Sequence, residues 1–173
     1  PGTWRIRVAN PESVEIRISG PSQMTTVWRT TTPASQAYWF SGSFFAVKLE
    51  TMGGLWAALS ELEGEALGQS DGAHLYGQVL ARSSADEAAW TGATITVYDG
   101  EGRVHPAITL STDEQGFFVP SDTEPITAFT ATDLAPGPIR LVVDASDGRS
   151  LVTDYMAEPG DLLGAFAFTL PES

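Results

Sequence analysis

Cysteine is missing from this 173-residue chain. That absence removes disulfides, thiolate metal sites and cysteine nucleophiles together. Lysine is almost missing as well: Lys48 stands alone against eight arginines. Histidine is limited to His74 and His105, and neither has a second ligand at the spacing a zinc site uses. A Ser–His–Asp triad would have to be built around one of these two rings. No run of about eighteen apolar residues occurs, so no membrane-spanning helix is expected. The opening at Pro1, without Met, a basic stretch or an apolar leader, reads as a fragment of a longer protein.

What is present is acid and apolar surface. The formal charge is −13, and it is unevenly spread. Residues 1–75 carry five basic and seven acidic side chains; residues 76–173 carry four and fifteen. Such a surface repels a phosphate backbone, which argues against a nucleic-acid partner. Solubility accounts for the acid, and a divalent cation is the sharper alternative. With 42% hydrophobic and 10% aromatic residues, the chain has material for a packed core and is not expected to be disordered.

Period-two alternation dominates the pattern. Trp4, Ile6 and Val8 alternate with Arg5 and Arg7, and Val14, Ile16 and Ile18 alternate with Glu15 and Arg17. With Asn10-Pro11-Glu12-Ser13 between them, they predict a hairpin with one apolar and one charged face. Met24 to Thr32 predicts a further strand, as do Ala37–Phe40 and Phe44–Glu50, with a turn at Gly53-Gly54. Leu55 to Leu67 fits either a strand or a short helix. Gly68-Gln69-Ser70-Asp71-Gly72 is the expected domain boundary. Beyond it, strands are predicted near 74–82, 92–99, 104–110, 116–119, 126–132, 138–145, 150–156 and 162–170. Their spacing of roughly ten residues suits a sandwich.

Four motifs of the second half form a pattern: Gly77-Gln78-Val79, Gly92-Ala93-Thr94-Ile95-Thr96-Val97, Thr112-Asp113-Glu114-Gln115-Gly116-Phe117-Phe118 and Pro136-Gly137. On these, residues 76–145 resemble the carboxypeptidase-regulatory-like and transthyretin-like β-sandwiches. The loop Pro120–Pro125 departs from that pattern. Pro1-Gly2-Thr3-Trp4 with the following strand is similar to the sandwich strands that follow von Willebrand factor A domains in surface proteins. The two resemblances imply a secreted or cell-surface setting, bacterial in origin, and a stalk or adhesion role.

The fold expected is therefore all-β: one or two immunoglobulin-like or transthyretin-like β-sandwiches with Greek-key or related antiparallel topology. Residues 1–72 would form an N-terminal unit and residues 73–173 the second, or strands of both would share one larger core. The Gly68–Gly72 string matches a nucleophile elbow, but the elbow needs a strand before its serine and a helix after it, so it reads as a polar linker. No catalytic residue and no enzymatic activity are assigned. Tyr38, Trp39 and Phe40 are the candidate ligand platform, for a protein or glycan partner. Asp144, Asp147 and Asp154 flank one turn and are the candidate ligands for calcium, the one cofactor considered. The function expected is a non-catalytic structural or interaction module. Its alternatives are a carbohydrate- or calcium-dependent binding domain and an accessory domain of an extracellular enzyme.

Overall fold

The computed structural model describes residues 3–10, 13–31, 49–68, 71–115, 118–120 and 124–171. Its elements run β1 (Thr3–Asn10), β2 (Ser13–Ser19), β3 (Thr25–Thr31), α1 (Leu49–Glu63), β4 (Ala73–Val79), α2 (Ser84–Trp90) and β5 (Thr94–Tyr98). They continue β6 (Val104–Pro106), β7 (Ile108–Thr112), β8 (Phe118–Pro120), β9 (Ala128–Leu134), β10 (Gly137–Asp144), β11 (Ser150–Ala157) and β12 (Asp161–Phe168). Two sheets form, one of eight strands in the order β1-β2-β3-β12-β4-β9-β7-β8 and one of four in the order β11-β10-β5-β6. This is the expected all-β sandwich. Inward residues of both sheets, among them Leu75, Phe129 and Leu163 from one and Val97, Leu141 and Val143 from the other, interleave as a single core. None of the described helices is long and apolar enough to cross a membrane.

The strands mostly sit where alternation put them. The predicted strand over 104–110 divides: β6 pairs with β5 in the small sheet, and β7 pairs with β9 in the large one. Pro106 lacks an N–H for the ladder, and the chain changes sheet immediately after it.

The last strand connects the two ends of the chain. β12 lies parallel to β3, with Leu163 opposite Val27, and parallel to β4, with Leu163 opposite Leu75. All other pairings are antiparallel. The eight-stranded sheet therefore includes strands from both sides of the boundary expected at Gly68–Gly72.

Leu55 to Leu67 resolves toward helix, and α1 begins earlier, at Leu49. The turn expected at Gly53-Gly54 lies inside this helix, and Leu49-Glu50, expected to end a strand, opens it. Met52, Trp56 and Leu59 supply the reason: spaced by four and three residues, they form one buried stripe on the large sheet. Both glycines are exposed, and a Cβ on either would meet nothing within 4 Å. Packing thus outweighs their poor helix propensity. The Trp56 indole donates to Thr130 Oγ1 at 3.2 Å, and that hydroxyl donates to the Leu75 carbonyl at 2.8 Å, tying helix to sheet.

Gly77 opens the family-like pattern for a steric reason. A Cβ there would sit 2.3 Å from Cζ of Phe129, the residue opposite it in β9. Only glycine lets that ring lie flat across the strand.

A further correction concerns β2. Its charged positions were expected to be wet, yet Glu15 and Arg17 are as buried as Ile16 and Ile18. Arg17 Nε donates to Glu15 Oε1 at 3.1 Å, its Nη1 donates to Asp161 Oδ2 at 2.6 Å, and its Nη2 donates to the Met156 carbonyl. Asp161 is buried too, and its carboxylate also accepts the Glu158 N–H. Burial pushes the Asp161 carboxyl above its ordinary value, against the pull of that N–H and of Arg17. The alternation signal reports a two-sided strand but cannot report a partner 144 residues away.

Candidate functional site

With inward residues of both sheets buried and α1 covering part of the large sheet, no described element covers the outer face of the four-stranded sheet. β5, β10 and β11 alternate regularly, which sends Ile95, Val97, Ile139, Leu141, Val143 and Tyr155 into the core. The intervening residues face outward. One row across the strands reads Val104, Tyr98, Arg140, Asp154, and the next reads Pro106, Thr96, Val142, Val152. Tyr98, Val104, Val152 and Met156 are between 39% and 60% exposed, more apolar surface than scattered single residues explain. Arg140 spans to Asp154 with Nε to Oδ1 at 2.8 Å and Nη2 to Oδ2 at 3.3 Å, a two-pronged pair in the middle of this apolar field. A groove of about 610 Å3 runs along it between Tyr98, Pro138, Arg140 and Asp154.

The rim of this face is held by Asp99. Its side chain is fully buried and accepts the Glu101 and Arg103 N–H groups, the Ala135 N–H and the Arg103 guanidinium; His105 Nε2 lies 3.0 Å from it. Burial alone would raise this carboxyl. The Arg103 N–H, His105, the Arg103 guanidinium and the Ala135 N–H outweigh burial and hold it well below the ordinary carboxylate range. Gly100, next to it, packs so close to the Pro136 carbonyl that a Cβ would lie 1.9 Å from that oxygen. Asp99 thus ties the β5–β6 turn to Ala135 before β10 and, with His105, fixes the edge on which Tyr98 stands.

The other histidine lies under the helix. His74 is buried against Trp56, ring centroids 4.4 Å apart, and its Nδ1 accepts the Asp133 N–H at 3.3 Å. Burial pushes the imidazole below its usual value, against the attraction of Asp133. Asp133 itself adopts a left-handed φ of 58°, and its carboxylate accepts the Gly68 N–H and the Thr132 hydroxyl.

The elbow-like string over 68–72 follows helix α1 and precedes strand β4, the reverse of the order an elbow requires. Asp144, Asp147 and Asp154 are not brought together. Asp144 pairs with Ser150 near the turn, while Asp154 lies opposite Arg140, four residues or roughly 13 Å along the hairpin. Asp147 is engaged by Arg149 Nε at 2.8 Å, and Asp154 by Arg140. Among the described residues no group of three or more His, Asp or Glu side chains could hold a metal ion. Tyr38, Trp39 and Phe40 lie outside the described residues.

Helix α2 was not expected from the sequence, although its signals were there. Ser83 caps it by accepting the Asp86 N–H at 3.2 Å, Asp86 and Glu87 fill its first turn, and Gly92 follows its end. No protein-family model matches the chain, and no curated protein matches it.

Proposed function

We propose that this chain is a non-catalytic interaction module of a larger secreted or cell-surface protein, with the outer face of β11-β10-β5-β6 as its contact surface. The observation that carries the reading is the exposed set Tyr98, Val104, Val152 and Met156 around the Arg140–Asp154 pair. Apolar residues with a central, geometrically fixed ion pair suit a protein contact: the apolar rows supply affinity and the pair sets register. The rest of the molecule serves to hold that face flat and its edge fixed. The sequence patterns at Gly77, Gly92-Ala93 and Pro136-Gly137 support the same reading, because the sandwiches they resemble present, space and bind.

Placing a photo-crosslinking amino acid at Val152 in the parent protein, on intact cells, tests the proposal. The expected result is a discrete adduct with an extracellular or surface protein, absent when the same group is placed at Glu61 on the exposed side of α1. Adducts of equal yield from both positions, or none at Val152, overturn it. Protease shaving of the same cells checks the location: loss of the chain's antibody signal is expected, and full retention contradicts a surface setting.

A further inference from the structure

β11 (Ser150–Ala157) is the end strand of the four-stranded sheet, paired with β10 on one side. An end strand presents a row of N–H and C=O groups to whatever lies beside it. Folded proteins blunt such rows with short strands, prolines, bulges or lysines. The other sheet edges carry these devices. β6 and β8 are three residues long and end in Pro106 and Pro120, and the β1 ladder shifts register between Val8 and Asn10. β11 has none of them. It keeps register with β10 over all eight residues and contains no proline, lysine or arginine.

The phase of the ladder fixes which main-chain groups point outward. Met156 lies opposite Pro138, which has no N–H, and its carbonyl turns away from β10 to accept Arg17 Nη2. Bonded and non-bonded pairs alternate along an antiparallel ladder, so the main chain of Ser150, Val152 and Asp154 points outward as well. At the hairpin end the Ala145 N–H donates to the Arg149 carbonyl, in the same phase. Arg17 closes the Met156 end of this row. Among the described residues no hydrogen bond reaches the outward N–H or C=O of Val152, whose side chain is itself exposed.

We propose that β11 pairs with an extended segment of a protein partner, which adds a fifth strand to this sheet. The proposal rests on the reading of the adjoining outer face as a protein contact, and it names how that partner is held. Main-chain hydrogen bonds at Val152 give affinity, and the rows that the segment extends select its side chains. Beside Val152 it continues the row Pro106, Thr96, Val142, Val152, which calls for an apolar residue. Two residues along, it continues the row Val104, Tyr98, Arg140, Asp154. A lysine or arginine there carries on the alternation of charge that Arg140 and Asp154 begin. The residue between them lies beside the half-buried Thr153 and suits a β-branched side chain. A second copy of this chain is the poorer occupant, because each copy brings a formal charge of −13 to the contact.

The test is an NMR titration of the full 15N-labelled chain with N-acetyl-Thr-Lys-Ile-Val-Ile-Lys-Thr-amide, whose symmetric pattern serves either strand direction. The expected result is a saturable downfield shift of the Val152 amide at peptide concentrations up to about 5 mM, the range of a weak single-segment contact. NOEs from the peptide backbone to the Thr153 Hα should accompany it. Val152→Pro removes the outward N–H at a position where an edge strand tolerates proline, and it should abolish the NOEs. Should that variant not fold, the peptide N-methylated along Ile-Val-Ile makes the same test from the other side and should not bind. Replacing both peptide lysines by glutamate should weaken binding by at least about 2-fold, and added salt should weaken the lysine peptide. An unmoved Val152 amide overturns the proposal, as does an equal shift with the N-methylated or the glutamate peptide. A Val152 shift that grows with protein concentration alone overturns it in favour of a second copy. Shifts confined to Tyr98 and Val142 overturn strand addition while leaving the outer face as a contact, whereas the crosslink at Val152 on cells tests that face itself.

Discussion

Replacing Arg17 by methionine should be among the most damaging single changes available outside the apolar core. Arg17, Glu15 and Asp161 are 4%, 3% and 2% exposed, and among the described side chains the Arg17 guanidinium is the cation that reaches both carboxylates. Glu158, 53% exposed and 3.6 Å away, adds little. Removing the arginine takes its donors from two buried carboxylates and from the Met156 carbonyl. Breaking a buried pair in this way costs about 3–5 kcal/mol. For a chain of this length that corresponds to a fall of roughly 6–20 °C in melting temperature. Urea unfolding of wild type and Arg17→Met measures it. The triple variant Glu15→Gln/Arg17→Met/Asp161→Asn should recover much of the loss, because neutral groups carry no comparable desolvation penalty. The deficit of the single variant should also narrow as pH falls from 7 toward about 5, since the Asp161 carboxyl, which burial already pushes above its ordinary value, takes up a proton once its cation is gone. A cost below about 1 kcal/mol at pH 7, or a triple variant no better than the single one, would refute the idea that this cluster is desolvated and ties β2 to the end of the chain.

Two further outcomes follow from the helix and from what lies under it. Gly53→Ala and Gly54→Ala should each raise stability by about 0.5–1 kcal/mol, because the added Cβ meets nothing within 4 Å and alanine loses less backbone entropy in a helix; a drop in the urea midpoint would mean that the segment is not helical. For His74, burial lowers the folded-state pKa below the ordinary value of 6.5, so the unfolded chain binds the proton first as pH falls. Its contribution is then fully present above pH 6.5 and declines below it, with a slope of up to about 1.4 kcal/mol per pH unit. Stability measured from about pH 6.5 to 5 should therefore fall less steeply in His74→Gln than in wild type, and coincident slopes would show that the ring is not held neutral beneath Trp56.

The strands were legible because a half-buried strand writes its own period. Ile139, Leu141 and Val143 alternate with Pro138, Arg140 and Val142, and no distant information is needed to read them. What could not be read was which strands meet. The placement of β12 between β3 and β4 depends on parallel pairing across most of the chain, and no local motif records it. The burial of Glu15 and Arg17 has the same cause, since their partner Asp161 belongs to that strand. Helix α1 was obscured by Gly53-Gly54, where local propensity and tertiary packing disagree. The outer face was hidden for a different reason. Tyr98 and Arg140 become neighbours only through the β5–β10 register, and their exposure depends on which elements pack on that side of the sheet, which no local pattern records.

The interaction reading requires a single rigid scaffold in which the C-terminal strand locks the N-terminal strands to the rest. Hydrogen exchange of the full chain in rising, sub-denaturing urea tests this directly. Amides of β3 (Thr25–Thr31), β4 (Ala73–Val79) and β12 (Asp161–Phe168) should converge on one opening free energy, equal to that of global unfolding. The account is contradicted if the β3 amides open separately, at a much lower free energy, while β4 and β10 (Gly137–Asp144) remain protected.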